Sequence, residues 1–392
     1  MNFFLSLRGA TATKQSRQIK KQRGTNMKKL FLTLCAVLAI TACDNQKEPA
    51  NTDGKPVIKI GATLPLTGNF ADTGLAAKEA MIMALEKWQE QNTKYKYEIF
   101  FEDDISDPKK AVLNTQNFIN IKNVQAILSI FGIVDRPIDK IANENKVISL
   151  SCSYGKIEVP EYSANTCIQN RQVAETLIPK LRKEHIQKIA LVMANTNVSL
   201  AVGDYFADLL PKEGFEVVAY EKYNMDTRDM KMSILSMEEK NPDYYITFAQ
   251  HPLTDIFVKQ LKETTGKRNV TSLGSFREMN PNFFPLVEEL WTLYTTAGTA
   301  DFEKEFEQKT DHQLKGCTAN SYDNMDILIW AYENTPVKEG NILPTTEDVI
   351  AKIKSIKNWN GAVGDITFKN GIASPKAELR MYKDGKFVKI EE

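Results

Sequence analysis

The sequence predicts an α/β protein of two doubly wound lobes, each a mostly parallel β-sheet with helices on both faces. Three observations support this fold class. The chain has 392 residues, too many for one ordinary core. Apolar segments of strand length alternate with segments of helical periodicity. This alternation occurs twice along the chain, so each series accounts for one lobe.

The first series starts at residue 57 and alternates strand with helix. Good capping residues, Ser106 and Asp107, stand just before Pro108, which is favoured in the first turn of a helix. The predicted strands are residues 57–64, 97–101, 124–130 and 147–151, and the predicted helices cover 76–88, 108–119 and 137–145.

The second series gives another doubly wound lobe without detectable sequence similarity to the first. Its predicted strands are residues 188–194, 215–220, 244–249 and 270–273, and its helices are 200–211, 230–239 and 253–262. Three further helices, 302–309, 321–334 and 346–356, precede a Gly-rich hairpin-like segment, 361–389. Trp330 and Trp359 are expected to lie in the core.

Residues 1–42 are predicted to be a leader and are left out of the fold argument. From Met27 a short basic start leads into an apolar run and small residues, as in a cleaved signal peptide. The run is too short to span a bilayer comfortably. Residues 1–26 carry six basic residues and no acidic one, so we expect translation to start at Met27. Without residues 1–42 the chain has 42 basic and 50 acidic residues, and this net charge of −8 argues against nucleic-acid binding.

The end of the leader, Ile40–Thr41–Ala42–Cys43, resembles a bacterial lipoprotein signal. The resemblance implies cleavage before Cys43 and lipid attachment to its thiol. The alternative is a plain secretory signal that happens to end in cysteine. Residues 43–56 are polar and contain Pro and Gly, which indicates a flexible tether.

Three cysteines follow the tether. In an exported protein a Cys152–Cys167 disulfide is plausible, since it would close a loop of moderate length. Cys317 would then be an unpaired, buried thiol. Other pairings stay open.

The stretch IKIGATLPLTGNFADTG, residues 58–74, predicts a strand, a loop and the start of a helix. In open parallel sheets, ligands bind outside the carboxyl ends of the strands, where helix N-termini present unpaired N–H groups. Gly68 and Gly74 would allow close approach of a ligand or a positive φ. Two such lobes facing each other would enclose a small molecule.

Several segments, in order, resemble the type I periplasmic binding proteins, and among them the leucine/isoleucine/valine-binding receptors of ABC importers. They are residues 58–74, FEDDISDPKKAV (101–112), VQAIL (124–128), GFEVV (214–218), SYDNMDIL (321–328) and NGAVGDITF (360–368). The resemblance implies two Rossmann-like lobes joined by three crossovers at a hinge. Tyr322 and Asp323 would support this hinge rather than contact the ligand. Lobe 1 would be 57–172 with 296–377, and lobe 2 would be 173–295 with 378–392. It also implies ligand binding without catalysis or a cofactor.

The sequence departs from the amino-acid-binding members at the ligand. Their serine in the loop after the third strand is matched by Gly132, and their acidic residue in lobe 2 by Phe276. An α-amino acid needs an acceptor for its ammonium group, because a buried unpaired charge is costly. We therefore expect an amino-acid-like molecule or small organic anion, and not a standard branched-chain amino acid. Arg277 would bind the anion, and aromatic rings its body. The predicted ligand-binding residues are Phe70, Thr73, Phe131, Gly132, Ser153, Tyr154, Asn197, Gln250, Phe276 and Arg277.

Other chemistries have weaker support in the sequence. The acidic residues at 102–107 lack the full pattern of a calcium loop, and Asp107 is better explained as a helix cap. The three histidines do not fall at metal-ligand spacing, and His251 would be a cleft residue or a polar loop residue. The sequence contains neither a Walker A loop nor GxGxxG.

The predicted function is that of a lipid-anchored, extracytoplasmic solute-binding protein that delivers its ligand to an ABC permease and ATPase complex. A ligand-sensing domain for a signalling partner is the alternative, and an enzyme on the same fold a remote one. Asp44 after the lipidated cysteine resembles an inner-membrane retention signal, which would apply in a bacterium with two membranes.

Overall fold

The computed structural model describes residues 54–155, 158–249, 251–294, 298–373 and 375–390. The predicted leader, the lipidated Cys43 and most of the tether lie outside these residues. In chain order the elements are β1 (Val57–Leu64), α1 (Ala71–Gln89), β2 (Lys96–Asp103), α2 (Pro108–Asn117), β3 (Ala126–Ile130), α3 (Gly132–Glu144), β4 (Ile148–Cys152), β5 (Ser163–Asn165), α4 (Asn170–Lys183), β6 (Lys188–Ala194), α5 (Asn197–Lys212), β7 (Glu216–Tyr223), α6 (Lys231–Glu238), β8 (Tyr244–Phe248), α7 (Leu253–Thr265), β9 (Val270–Ser272), β10 (Trp291–Tyr294), α8 (Ala300–Lys309), α9 (Thr318–Asn334), α10 (Thr346–Lys354), β11 (Trp359–Gly361), β12 (Gly364–Ile366), β13 (Phe368–Lys369), β14 (Ile372–Ala373), β15 (Glu378–Lys383) and β16 (Lys386–Lys389).

The sheet of the first lobe has seven strands in the order β13-β14-β5-β4-β3-β1-β2, and β1 to β5 run parallel. Side chains alternate between its faces. Leu128 and Ile130 of β3 pack with Met81 of α1, whereas Ile127, directly before Leu128, packs with Ile138 of α3. Helices thus cover both faces, which explains the nearly continuous apolar strands.

The sheet of the second lobe has four parallel strands in the order β7-β6-β8-β9. The side chains of β6 again alternate between the two faces of the sheet. Leu191 packs in the same cluster as Phe206 of α5, and Val192 packs with Phe257 of α7. Both lobes are therefore doubly wound, as the sequence predicts.

The chain passes between the two sheets three times: from β5 to β6, from β9 by way of β10 back to the first lobe, and from β14 to β15. The strands β10, β15 and β16 form a third sheet beside β9. These passages are the three crossovers of the predicted hinge. The lobe boundaries at single residues stay predictions.

Asp323 of α9 supports the hairpin of β11 and β12 near the second crossover. Its carboxylate accepts hydrogen bonds from the backbone N–H groups of Ala362 (2.7 Å) and Val363 (2.9 Å). The Ala362 carbonyl in turn accepts from Thr299 N–H at 2.7 Å. Burial raises the pKa of Asp323 to about 7, although the two backbone donors act to lower it. This contact network agrees with the predicted supporting role of Asp323.

Most predicted elements are present, with two kinds of error. The strand at residues 188–194 has the predicted bounds, but α3 begins at Gly132, five residues before the predicted start, and carries Pro137 inside it. The helix α4 and the strands β5 and β10 were not predicted. In α4 the buried Val173, Leu177 and Leu181 do recur at helical spacing, but Pro179 lies within the helix and weakens the pattern.

The predicted disulfide is wrong. Cys152, the last residue of β4, is bonded to Cys317, which precedes α9, with 5.8 Å between the two Cα atoms. Cys167 is a buried free thiol, and burial raises its pKa to about 12. The start of α9 packs against β4, and this long-range contact places Cys317 next to Cys152.

None of the helices in the described part of the chain is long and apolar enough to cross a bilayer.

Candidate functional site

The candidate site lies where the strand order reverses in each sheet. In the first lobe the order reverses between β1 and β3, and in the second between β6 and β8. At such a point the loops after two neighbouring strands diverge and leave a crevice at the carboxyl edge. The loops concerned follow Leu64 and Ile130 in the first lobe, and Ala194 and Phe248 in the second.

Two predicted residues meet at the crevice of the first lobe. The rings of Phe70 and Phe131 contact edge to face, with centroids 5.3 Å apart. Phe131 has a φ of 71°, which is unfavourable for a bulky residue, and its N–H donates to the carbonyl of Cys152 at 3.0 Å. Backbone strain of this kind concentrates at functional sites. It holds the Phe131 ring beside Phe70.

Gly132 and Ser153 also lie together. A Cβ atom on Gly132 would stand 2.9 Å from the Ser153 hydroxyl oxygen, so the loops after β3 and β4 touch at a point where a side chain does not fit. Gly68 has the positive φ that the sequence allows for. Gly74, in contrast, is packed against the Pro65 carbonyl of its own loop. Its missing side chain therefore allows close packing within the loop and not the close approach of a ligand.

Asp103 fixes the loop that carries Phe70. Its carboxylate accepts from the N–H groups of Leu66 (2.9 Å) and Ile105 (3.0 Å) and from the Thr67 hydroxyl (2.6 Å). Partial burial would raise the pKa of Asp103, but these hydrogen bonds outweigh it and lower the pKa to about 2. The carboxylate thus stays ionised and keeps these hydrogen-bond donors in place.

The two lobes meet at Tyr154 and Phe248. Tyr154 follows β4 in the first lobe, and Phe248 ends β8 in the second. Their rings are stacked with centroids 5.3 Å apart and an angle of 28° between the planes. The carboxyl edge of the second sheet therefore faces the first lobe, as a ligand-enclosing arrangement requires.

The hydroxyl oxygen of Tyr154 is buried, and it has no hydrogen-bond partner among the described residues. Burial, with smaller contributions from Cys167 and Tyr205, raises the pKa of Tyr154 well above its usual value. The hydroxyl therefore keeps its proton and is a donor at neutral pH. A buried polar group without a partner is costly, and such groups deserve a functional explanation.

Two of the predicted residues are not brought to this contact. Phe276 is fully buried in the core of the second lobe, in the cluster that includes Phe257. Arg277 forms ion pairs with Glu303 and, at 2.7 Å, with Glu307, both on α8. Glu303 also pairs with Arg380 at 3.1 Å. The carboxylates neutralise Arg277, so the structure offers no support for an anion site there.

The other predicted residues differ in position. Thr73 is half-buried in the first turn of α1, where its N–H donates to the Phe70 carbonyl at 3.1 Å. Asn197 is exposed at the start of α5, at the carboxyl edge of the second sheet. Gln250 lies outside the described residues. Phe248 was not among the predicted residues, and its only signal in the sequence is its place at the end of a strand.

The acidic segment after β2 behaves as helix-capping structure. Asp107 accepts from the N–H groups of Lys109 (2.7 Å) and Lys110 (3.1 Å) and so caps α2. Within the described ranges, no group of three or more His, Cys, Asp or Glu residues could hold a metal ion.

Comparison with known proteins assigns the fold to a family. The family model described as periplasmic binding protein matches residues 57–385. The chain therefore belongs to the periplasmic binding protein family. No curated protein matches the chain at a significant level.

Solved structures of solute-binding proteins have the same fold. The leucine-binding protein LivK from Thermotoga maritima has a TM-score of 0.71 at 19% identity, covering 85% of this chain and 98% of its own. A solute-binding protein of an ABC transporter from Rhodopseudomonas palustris, in complex with 4-hydroxybenzoate, has a TM-score of 0.74 at 18% identity. A third, from Rhodopseudomonas palustris BisB5 with 3,4-dihydroxybenzoic acid, has 0.73 at 18%. These two each cover 86% of this chain and 96% of their own.

Proposed function

We propose that the protein captures a small organic acid with a flat, aromatic or apolar body between its lobes and delivers it to an ABC importer. The observation that carries the proposal is the inter-lobe stack of Tyr154 and Phe248 with the buried Tyr154 hydroxyl beside it. A flat ligand would share the aromatic surface, and an acidic group would accept the hydrogen bond that Tyr154 can donate.

Binding acts in this proposal through a shift of population. The ligand contacts both lobes only when they are closed, so its binding free energy favours the closed state. The closed form would be the one recognised by the membrane permease. No covalent bond changes, and the three crossovers bend while each lobe stays rigid.

The choice of ligand class rests on the site and on the similar structures together. The position that carries an acidic residue in amino-acid-binding members corresponds to Phe276, which is buried in the lobe core. This position therefore supplies no acceptor for the ammonium group of an amino acid. Of the three similar structures described above, two hold hydroxylated benzoic acids, and one is a leucine-binding protein. The aromatic contact between the lobes favours the aromatic acids for this chain.

The ligand can be tested by releasing what co-purifies with the protein and identifying it by mass spectrometry. A thermal-shift panel of aromatic acids, aliphatic acids, amides and amino acids follows, since a ligand that binds the folded state raises its melting temperature. We expect a shift with at least one aromatic acid. Tight binding of leucine or valine in calorimetry would contradict the proposed ligand class.

Lipid anchoring is the second part of the proposal, and it is supported by the sequence at residues 40–43. Metabolic labelling with a fatty acid should mark the wild-type protein and leave Cys43→Ser unlabelled. Label on both proteins would place the lipid elsewhere, and label on neither would leave a plain secretory signal.

A further inference from the structure

His251 occupies the reversal point of the second sheet. It follows the carboxyl end of β8, three residues after Phe248, and β8 is the neighbour of β6 at which the strand order reverses. Since Phe248 contacts Tyr154 of the first lobe, this edge of the sheet faces the cleft. The His251 side chain is half exposed there.

A buried carboxylate orients the imidazole ring. His251 Nδ1 lies 2.5 Å from Oδ2 of Asp255, which is 1% exposed in the first turn of α7. The same oxygen accepts a hydrogen bond from the N–H of Asn280 at 3.3 Å. An oxygen that accepts from a backbone N–H is best placed to accept from Nδ1 as well, so Nδ1 carries the ring proton.

This arrangement determines what the ring can offer to a ligand. In the neutral imidazole, a proton on Nδ1 leaves Nε2 as a hydrogen-bond acceptor. Tyr154 on the opposite lobe is a donor. The two lobes therefore present groups of opposite hydrogen-bond character, and a ligand that pairs with both carries one acceptor and one donor.

We propose that His251 is a specificity-determining residue of the ligand site, where its Nε2 accepts a hydrogen bond from a hydroxyl group of the ligand, with Asp255 as the positioning residue. This inference rests on the proposed function and adds the hydroxyl to the ligand class. A site built to bind a hydroxyl discriminates strongly against an analogue that lacks it, because the site's polar group is then unpaired.

The test compares a matched pair of probes, benzoate and 4-hydroxybenzoate, by calorimetric titration of the mature protein. We expect the wild type to bind 4-hydroxybenzoate about tenfold more tightly than benzoate, a difference of about 1.4 kcal/mol. His251→Ala should reduce this preference to less than about threefold. His312→Ala, a histidine change outside the site, is the control and should keep the full preference.

Two further variants keep the test decisive. His251→Gln preserves polarity and approximate size if His251→Ala folds poorly, and circular dichroism establishes folding in each case. Asp255→Asn can donate to Nδ1 and turn Nε2 into a donor, so it should also abolish the preference for the hydroxyl.

The outcomes separate this inference from the proposed function. A wild type that does not distinguish the probes, or folded His251 variants that keep the preference, would overturn the role of His251. If the wild type binds neither probe but another acid co-purifies with it, the inference falls and the proposed function stands. If no small molecule binds at all, both fail.

Discussion

The hydroxyl of Tyr154 allows a prediction in which stability and affinity change in opposite directions. Leaving a buried hydroxyl without a partner costs about 1–3 kcal/mol. Tyr154→Phe removes the hydroxyl oxygen and keeps the ring that stacks on Phe248. We therefore expect the ligand-free variant to be more stable than the wild type by about 1 kcal/mol. For a domain of this size that corresponds to a melting temperature higher by about 1–2 °C.

The affinity should fall in the same variant. If Tyr154 donates a hydrogen bond to the acidic group of the ligand, its loss weakens binding about tenfold. The assay is urea unfolding of ligand-free protein together with calorimetric titration of the ligand found by co-purification. Both measurements use the same protein preparations, so differences in folding yield do not enter.

Tyr97→Phe provides a control of opposite sign. The Tyr97 hydroxyl donates to Glu333 at 2.8 Å, and burial raises its pKa well above the usual value. Its removal should lower stability by about 1 kcal/mol and leave ligand affinity unchanged. A Tyr154→Phe variant that is less stable than the wild type without ligand would refute the reasoning, because the hydroxyl would then have a stabilising partner.

Three further predictions concern the disulfide, a buried carboxylate and an ion pair. Replacing Cys152 and Cys317 by serine should lower the free energy of unfolding by about 2–5 kcal/mol, whereas Cys167→Ala leaves the disulfide intact and should lower it less. A Cys152–Cys167 cross-linked peptide in a non-reducing digest would contradict this. The pKa of Asp323 is about 7 in the folded protein, against an ordinary value of 3.8. Between these two pH values the folded state holds a proton that the unfolded state has lost. The stabilisation is therefore fully present below about pH 4 and is lost as the pH rises through 7. The stability difference between wild type and Asp323→Asn should therefore decline by at most about 4 kcal/mol over this range in urea titrations, and a difference independent of pH would argue against the raised pKa. Arg277→Ala should lower stability by about 1–2 kcal/mol, because Glu307 loses its partner, and change ligand affinity less than threefold; a tenfold loss of affinity for an anionic ligand would return Arg277 to the site.

The fold could be predicted from the sequence because its signals are local. Apolar runs such as residues 188–194 and caps such as Asp107 are each contained within a few residues. Repeated alternation of strand and helix then determines the parallel sheets. The family resemblance gave the crossovers, which no local pattern contains.

The structure departs from the sequence-based expectations where distant segments meet. Cys152 and Cys167 are close in sequence, but the true partner of Cys152 is 165 residues away and is brought there by the packing of α9. The carboxylates that neutralise Arg277 lie 26 and 30 residues further along the chain, on a helix of the other lobe. Phe276 is apolar beside a loop, and only the fold decides whether such a ring faces the core or the cleft.

Aromatic residues likewise divide into those that local sequence position indicates and one whose contact depends on the arrangement of the lobes. Phe70, Phe131 and Tyr154 were predicted as site residues because they follow strands whose carboxyl ends form the crevice, and the structure places Phe70 beside Phe131 and Tyr154 beside Phe248. Phe248 is the last residue of a strand, where a ring is equally typical of a core. Its contact with Tyr154 depends on how the two lobes face each other, which is not encoded in either segment alone.

The bond between Cys152 and Cys317 joins two elements of the same lobe and ends one residue before Ser153. The disulfide therefore does not link the two lobes to each other, and it anchors the start of the loop that follows β4 and carries Tyr154. In the reducing cytoplasm this anchor would not form. We accordingly expect a chain that has not been exported to bind its ligand more weakly. Full affinity would develop only after the disulfide forms outside the cytoplasm, so the unexported chain would bind little of the ligand present inside the cell.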